Sequence, residues 1–192
     1  MDSLYLPPSK KNAQIEGAII VHQDEASFRQ TPTLHQTWAR KNSQPKIPTK
    51  GARNTQKIFG AVAPHTAKFI YQHTHQSFNY ETYIEFLEDH LLPGFYRKSH
   101  RVYLIQDNAS YHKKPETYEW FKTNRKYVEV FNLPPYSPEF NAEERLWHHT
   151  RMCATHNRYF ETKEKLCEEL FATFKQMQDD PKSIEGLLRP FC

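Results

Sequence analysis

Five short apolar runs, separated by amphipathic stretches, limit the folds open to this chain. Each run is rich in β-branched or aromatic residues and is too short for a helix, which is typical of buried strands. The runs are Gly17–Val21, Lys57–Ala63, Lys68–His73, Arg101–Ile105 and Tyr127–Phe131. A proline turn joins the second and third runs, which predicts a hairpin. The order of strands and helices predicts an α/β fold with a mixed central sheet flanked by helices.

Apolar residues recur at helical spacing in stretches between and after these strands. Asn79 is predicted to cap a helix that ends at Pro93-Gly94. Further helices are predicted over 114–124, from 141 towards 152, and over 162–177. We expect residues 1–17 to form a polar lead-in, residues 18–178 a single domain and residues 179–192 a C-terminal tail.

Composition excludes several classes of protein. The chain has 192 residues, enough for one domain with its own core, and 14% aromatic residues, too many for a disordered protein. Residues 1–14 lack the apolar stretch expected of a secretory signal, and no apolar run approaches the roughly 20 residues of a membrane span. Three widely spaced cysteines argue against a disulfide framework. We expect a cytoplasmic protein with no membrane partner, and its formal charge of +4 permits a polyanionic partner.

Acidic residues follow two of the predicted strands. Asp24 comes three residues after the first predicted strand, and Asp107 comes two residues after the fourth. A third acidic group stands where the helix after the last strand begins: Glu139, Glu143 and Glu144. Ligand sites in open α/β sheets lie at the carboxyl ends of strands, so these groups are expected to converge. Converging carboxylates repel one another, and Mg²⁺ would offset that repulsion, although single acids are more often turn or cap residues.

A zinc site is the competing metal hypothesis. Histidines and cysteines are grouped late in the chain, at His148, His149, Cys153, His156 and Cys167. Zinc sites usually show paired motifs such as C-x-x-C or H-E-x-x-H, and this sequence has neither. The pattern therefore favours the magnesium hypothesis.

Two longer motifs carry a family resemblance. The first begins at Asp107 and reads DNASYH, and the second runs from Leu133 to Trp147 and reads LPPYSPEFNAEERLW. Both resemble the signatures of DDE transposases of the mariner-like superfamily, in particular its bacterial insertion-sequence branch. Asp24, followed by a glutamate, resembles the first acidic block of that family. The similarity covers roughly residues 18–156.

This resemblance implies an RNase H-like fold and a DDE catalytic triad. Aligned with the family motifs, Asp24, Asp107 and Glu144 fall on the catalytic, metal-binding positions. Glu143 is the alternative third acid. The implied cofactors are two Mg²⁺ ions per active site, with Mn²⁺ as a substitute. The implied reaction is endonuclease cleavage at transposon ends, followed by attack of the freed 3′-hydroxyl on target DNA, usually at a TA dinucleotide.

Other residues are candidates for contact with DNA or with the catalytic acids. Asn108 and His112 could orient Asp107 or contact the scissile strand. Trp147 is expected to pack its helix onto the sheet. A basic segment that fits either a phosphate-binding arm or a solvated loop contains Arg40, Lys41, Lys46, Lys50 and Arg53.

The resemblance also implies partners that the chain alone does not supply. Family members carry N-terminal helix-turn-helix modules, whereas about 17 residues precede the first strand here. We therefore expect a fragment or one half of a split reading frame, with DNA-end recognition missing or supplied separately. We expect a homodimer when assembled on DNA, associated with a bacterial nucleoid. Two alternatives stay open: a catalytically silent, transposon-derived DNA-binding module, and another RNase H-like nuclease.

Overall fold

A five-stranded sheet in the order β3-β2-β1-β4-β5 forms the centre of the computed structural model, which describes residues 10–49, 51 and 53–192. The strands are β1 (Ala18–Arg29), β2 (Thr55–Ala63), β3 (Lys68–Thr74), β4 (Arg101–Gln106) and β5 (Val128–Asn132). β2 is antiparallel to both β1 and β3, and β4 is parallel to both β1 and β5. The predicted mixed sheet and its hairpin are confirmed.

Helices cover both faces of the sheet. They are α1 (Lys10–Glu16), α2 (Tyr80–Phe86), α3 (Leu92–Phe95), α4 (Pro115–Thr123), α5 (Ala142–Thr150), α6 (Lys163–Asp179) and α7 (Lys182–Leu188). π-Helical turns follow α2 and α5, at Leu87–Leu91 and Arg151–Thr155. Within the described ranges, no helix combines the length and the apolar character needed to cross a bilayer.

β1 is longer than the sequence predicts. The predicted strand ends at Val21, where polar residues begin, but the observed strand continues to Arg29, so Asp24 lies within it. The reason is a change of partner, because β4 pairs with residues 18–22 of β1 and β2 pairs with residues 22–29. The second ladder keeps the backbone of the polar stretch hydrogen-bonded where the first one ends.

α2 begins where the sequence predicts, but the helical segment ends later. Asn79 Oδ1 accepts a hydrogen bond from the Thr82 amide at 2.9 Å, and Thr82 Oγ1 accepts one from the Asn79 amide at 3.2 Å. This reciprocal pair is a capping box. The predicted stop at Pro93-Gly94 is wrong, because helical turns continue through α3. A π-turn precedes Pro93, and the missing N–H of proline is tolerated in the first turn of a helix.

Each face of the sheet has its own hydrophobic layer. On the face that we call the α5 face, α5, α6 and α7 bury Trp147 and Phe174 against Phe28 of β1. On the opposite face, the α2 face, α2 and α4 bury Phe86 against Phe59 of β2, with ring centroids 5.3 Å apart. These layers fix the helices that carry the candidate site.

Both ends of the described chain contribute to the packing. Ala13 of α1 is buried beside Ile20 of β1. Residues 179–192, which the sequence predicts as a tail, include α7, whose Ile184 and Leu188 are fully buried in the α5-face layer. The apolar side of α7 accounts for its position on the sheet.

Candidate active site

Three acidic side chains line one cavity of about 480 Å³ at the end of β4: Asp24, Asp107 and Glu144. The strand register explains why the two aspartates meet. His22 of β1 is paired with Ile105 of β4, and each strand reaches its aspartate two residues later. Glu144 joins them from the first turn of α5. The structure thus brings the three predicted acids to one place.

Asp24 is almost entirely buried on the α5 face of β1. Its pKa is raised well above the usual range, first because burial penalises the charged carboxylate and then because Glu25 and Glu144 repel it. The ion pairs found in the described part of the chain do not include Asp24. Negative charge at this position therefore lacks a balancing side chain.

Asp107 is held by groups in the turn that follows β4. Its Oδ1 accepts a hydrogen bond from the Ala109 amide at 2.9 Å and lies 3.1 Å from Nδ1 of His112. Burial alone would raise the pKa of Asp107, but the contact with His112 and then that with Ala109 outweigh burial, and the pKa is lowered. The side chain is 51% exposed, so a fixed and charged carboxylate faces the cavity.

His112 lies between two carboxylates. Nδ1 faces Asp107, and Nε2 forms an ion pair with Oε1 of Glu25 at 3.3 Å. Burial alone would lower the pKa of His112, but its contacts with Asp107 and Glu25 outweigh burial and raise the pKa to about 9. The imidazole is therefore positively charged, with a proton on both nitrogens, at neutral pH. Sequence reasoning missed Glu25, although strand alternation places it on the opposite face of β1 from Asp24.

The described residues contain one group of at least three possible metal ligands within 4.8 Å of one another, formed by Glu25, Asp107 and His112. The histidine is a cation between two carboxylates, so it offsets one of the two negative charges in this group. The rival zinc cluster does not assemble among the described residues. Cys153 Sγ lies 3.6 Å from Nε2 of His149, but no third ligand joins them.

Glu143 and Glu144 are neighbours with different surroundings. Glu144 is exposed and lines the cavity. Glu143 is 0% exposed, and within the described chain neither of its carboxylate oxygens has a hydrogen-bond partner. Burial first, and then repulsion by Asp24 and Glu144, raises the pKa of Glu143 well above the usual range. This arrangement favours Glu144 over Glu143 as the third acid.

The start of α5 is fastened directly to β1. Asn141 caps the helix, because its Oδ1 accepts a hydrogen bond from the Glu143 amide at 3.1 Å, and its Nδ2 donates to the Gln23 carbonyl at 3.1 Å. The Ala142 amide donates to Nδ1 of His22 at 3.2 Å. Burial lowers the pKa of His22 to about 4, so the ring is neutral and can accept this bond. These contacts hold Glu144 beside Asp24.

Gly60 sets the distance between α5 and the sheet. It lies directly opposite Asp24 in the β1–β2 ladder. A Cβ atom at Gly60 would lie 2.5 Å from Cη2 of Trp147 and 3.2 Å from Oε2 of Glu143. Glycine therefore lets the indole lie on the backbone of β2. Trp147 is buried in the α5-face layer, as its expected packing role requires.

The remaining residues differ in whether they line the cavity. Asn108 lines the cavity, and its side-chain amide donates to the carbonyl of Leu133. Lys113, which the sequence analysis did not single out, is the basic residue among those lining the cavity in the described chain. Lys50 lies outside the described residues. The other predicted basic residues lie in the segment between β1 and β2. They are exposed and do not line the cavity: Arg40, Lys41, Lys46 and Arg53.

Comparison with known proteins places this geometry in a family. The chain is 26% identical over 170 residues to the "Insertion element IS630 uncharacterized 39 kDa protein" of Shigella sonnei. That alignment covers 88% of this chain and 48% of the relative, so the chain spans about half the length of the relative.

Solved structures with the same fold include those of Mos1 transposase. The catalytic domain of Mos1 mariner transposase is 14% identical, with a TM-score of 0.56 over 94% of this chain and 82% of that one. A pre-cleavage Mos1 transpososome is 14% identical, with a TM-score of 0.65 over 95% of this chain and 57% of that one. The expected RNase H-like fold is thereby confirmed. The family model described as "DDE superfamily endonuclease" matches residues 19–167, and the chain belongs to that family.

Proposed function

We propose that this chain is the catalytic domain of a DDE transposase, which cuts phosphodiester bonds at transposon ends and joins the freed 3′-hydroxyl to target DNA. The observation that carries the proposal is the meeting of Asp24, Asp107 and Glu144 in one cavity. Membership of the DDE superfamily endonuclease family supports the same chemistry. The activity, substrates and partners of the whole protein belong to the proposal, since the chain spans about half of its relative.

The carboxylates of this cavity fit divalent metal ions. Their donor atoms are all oxygen, which Mg²⁺ and Mn²⁺ prefer. A cation would offset both the burial and the repulsion by Glu25 and Glu144 that raise the pKa of Asp24. Two of the similar Mos1 structures are paired-end complexes, one with Mg and one with Mn. We infer that Asp24, Asp107 and Glu144 hold two ions. When bound, the ions would stabilise the attacking and leaving oxygens of an in-line displacement.

Other residues of the site position these ligands. His112 and the Ala109 amide occupy Oδ1 of Asp107, which leaves Oδ2 available to a cation. Asn141 and His22 keep Glu144 beside Asp24 through the start of α5. Such supporting contacts typically change metal affinity or activity by about 10- to 100-fold when they are removed.

DNA binding by this chain would depend mainly on phosphate contacts. Lys113 lines the cavity, and the exposed arm between β1 and β2 adds Arg40, Lys41, Lys46 and Arg53, with Lys50 from the sequence. Contacts of this kind are sensitive to salt and do not read sequence. We therefore propose that end recognition comes from a separate helix-turn-helix part and that two copies join on DNA. The related Mos1 structures include a paired-end complex with the left transposon end. A cytoplasmic, nucleoid-associated location fits this proposal.

Calorimetric titration with Mn²⁺ tests the metal site without requiring end recognition. The full chain should bind Mn²⁺, and Asp107→Asn should lose that binding. Glu144→Gln and the adjacent Glu143→Gln form a matched pair, of which the first should lower Mn²⁺ affinity more. Absence of binding in the unmodified chain, with and without DNA, would overturn the enzyme proposal and favour the silent DNA-binding module.

Cleavage assays separate the transposase from the other nuclease. DNA duplexes and RNA–DNA hybrids, offered with Mn²⁺, should show nicking of DNA and strand transfer into a supercoiled plasmid. Cutting confined to hybrids would contradict the transposase assignment.

A further inference from the structure

Tyr136 is displayed beside the three carboxylates without any packing partner. It lines the same cavity, and its relative exposure of 102% means that the ring is not packed against the rest of the described chain. Its backbone φ is 58°, in the left-handed region that residues other than glycine rarely adopt. An unusual backbone conformation thus presents an aromatic ring to solvent at the candidate active site.

The loop that carries Tyr136 is anchored at both ends. At its start, the Leu133 amide donates to the Gln106 carbonyl at 2.8 Å, where β4 ends. At its end, Asn141 donates to the Gln23 carbonyl at 3.1 Å, beside Asp24. Three prolines restrict the backbone between these anchors: Pro134, Pro135 and Pro138. The backbone that carries the ring is therefore restrained relative to both aspartates.

Exposure alone would not single out this residue, since isolated apolar side chains are common on protein surfaces. The described chain has seven large apolar side chains that are strongly exposed, and Tyr136 is the one of them that lines the cavity. It combines full exposure, a left-handed backbone and an anchored loop. An aromatic ring that contributes nothing to the core but lies beside the cavity lined by the three carboxylates fits a role in contacting substrate.

We infer that the ring of Tyr136 stacks on an unpaired nucleobase next to the phosphate that enters the cavity. Every base presents a flat π face, and aromatic side chains bind such faces with little regard to sequence. A base inside a duplex has both faces covered by its neighbours. The ring of Tyr136 would therefore select a base at a strand end or one turned out of the stack. This inference rests on the proposed function, because it takes DNA as the substrate.

Fluorescence anisotropy with two DNA probes tests the stacking. One probe is a blunt duplex, and the other is the same duplex with a short single-stranded overhang, both with Ca²⁺ present so that phosphate can approach the carboxylates. The unmodified chain should prefer the overhang probe. Tyr136→Ala should lower affinity for that probe by about 5- to 100-fold and leave blunt-duplex binding nearly unchanged, while Tyr136→Phe should retain the preference.

Three controls separate the possible results. Tyr118→Ala removes another exposed tyrosine, on α4, and should behave like the unmodified chain. Tyr136→Leu keeps an apolar side chain without a ring and should behave like the alanine variant. Thermal melting should be equal in all of them, because the ring of Tyr136 supports no packing.

Two results would overturn the inference in distinguishable ways. If the unmodified chain binds DNA and both Tyr136→Ala and Tyr136→Leu keep the overhang preference, stacking is wrong and the proposed function stands. If the unmodified chain binds neither probe, the proposed function is contradicted together with the stacking.

Discussion

Neighbouring residues of β1 have opposite electrostatic surroundings. Asp24 is on the α5 face, where its closest charged neighbours include Glu144 and no described basic side chain pairs with it. Glu25 is on the α2 face, where the buried His112 pairs with it at 3.3 Å. The chain balances carboxylate charge on one face and leaves it unbalanced on the other. A cation fits on the α5 face, where the charge of Asp24 is unpaired. On the α2 face, the pair of Glu25 and His112 holds Asp107 in place for that cation.

The largest expected effect is the difference in Mn²⁺ affinity between variants of Asp24 and of Glu25. Asp24→Asn should lower Mn²⁺ affinity and cleavage by more than the roughly 10- to 100-fold typical of losing a supporting group, while metal-free stability stays equal or rises. Glu25→Gln should lower activity less and should lower the melting temperature, because His112 loses an ion-pair partner. Calorimetry and thermal melting measure both quantities. Equal losses of Mn²⁺ affinity in the two variants would contradict the contrast.

The histidine on the α2 face should make stability fall at alkaline pH. His112 has a pKa raised to about 9 in the folded chain from 6.5, so its stabilising contribution is full below pH 6.5 and is lost as pH rises through 9. The total contribution is about 3 kcal/mol. Urea denaturation of the metal-free chain from pH 6.5 to 9.5 measures it, and His112→Asn should flatten the profile. An unchanged profile in that variant would rule out this assignment.

The histidine on the α5 face should act in the opposite direction. The pKa of His22 is lowered to about 4 from 6.5, so its neutral form supports the fold above pH 6.5 and the support is lost as pH falls through 4. The loss amounts to about 3 kcal/mol. The difference in free energy of unfolding between the unmodified chain and His22→Asn, followed from pH 7 to 4, should shrink accordingly. A constant difference would show that the ring is charged or solvated.

A methyl group at Gly60 should disturb the α5 face alone. Gly60→Ala places Cβ 2.5 Å from the Trp147 ring, and overpacking of this kind costs about 1–3 kcal/mol. The shift of α5 should also lower Mn²⁺ affinity through Glu144. Gly186→Ala is the matched control, because nothing lies within 4 Å of its added Cβ and alanine favours its helix. Equal stability in the two variants would mean that α5 is not seated through Gly60.

The smallest expected effect is that of removing Lys113, the basic side chain that lines the cavity in the described chain. Lys113→Ala should weaken DNA binding and lower the slope of log affinity against log salt by about 0.9, the value for one lost phosphate contact. Lys122→Ala, on the outer surface of α4, is the control. An identical slope in both variants would remove Lys113 from the DNA contact.

The sequence was most informative where a role depends on residues nearby in the chain. Asn79 and Thr82 form their cap within one turn of helix. Asp107 follows directly from the end of an apolar strand, and the spacing within the second motif indicates that Glu144 and Trp147 lie one helical turn apart. In each case the local pattern contains all the partners that matter.

Roles that depend on distant partners were missed. β1 continues past Val21 because β2 pairs with it, and the polar stretch itself gives no sign of that partner. Glu25 gains its role only through His112, and Gly60 only through Trp147. α7 lies within the predicted tail because its few apolar residues become significant only against the finished α5-face layer.

The bond from Asn141 to the Gln23 carbonyl joins residues 118 positions apart. Asp24 and Asp107 are synthesised before Glu144, so both aspartates precede the third acid that is seated beside them. Until α5 docks on β1, the nascent protein has an incomplete set of carboxylates. Under the proposed function, the ability to cut DNA arises only when that docking brings the three carboxylates together.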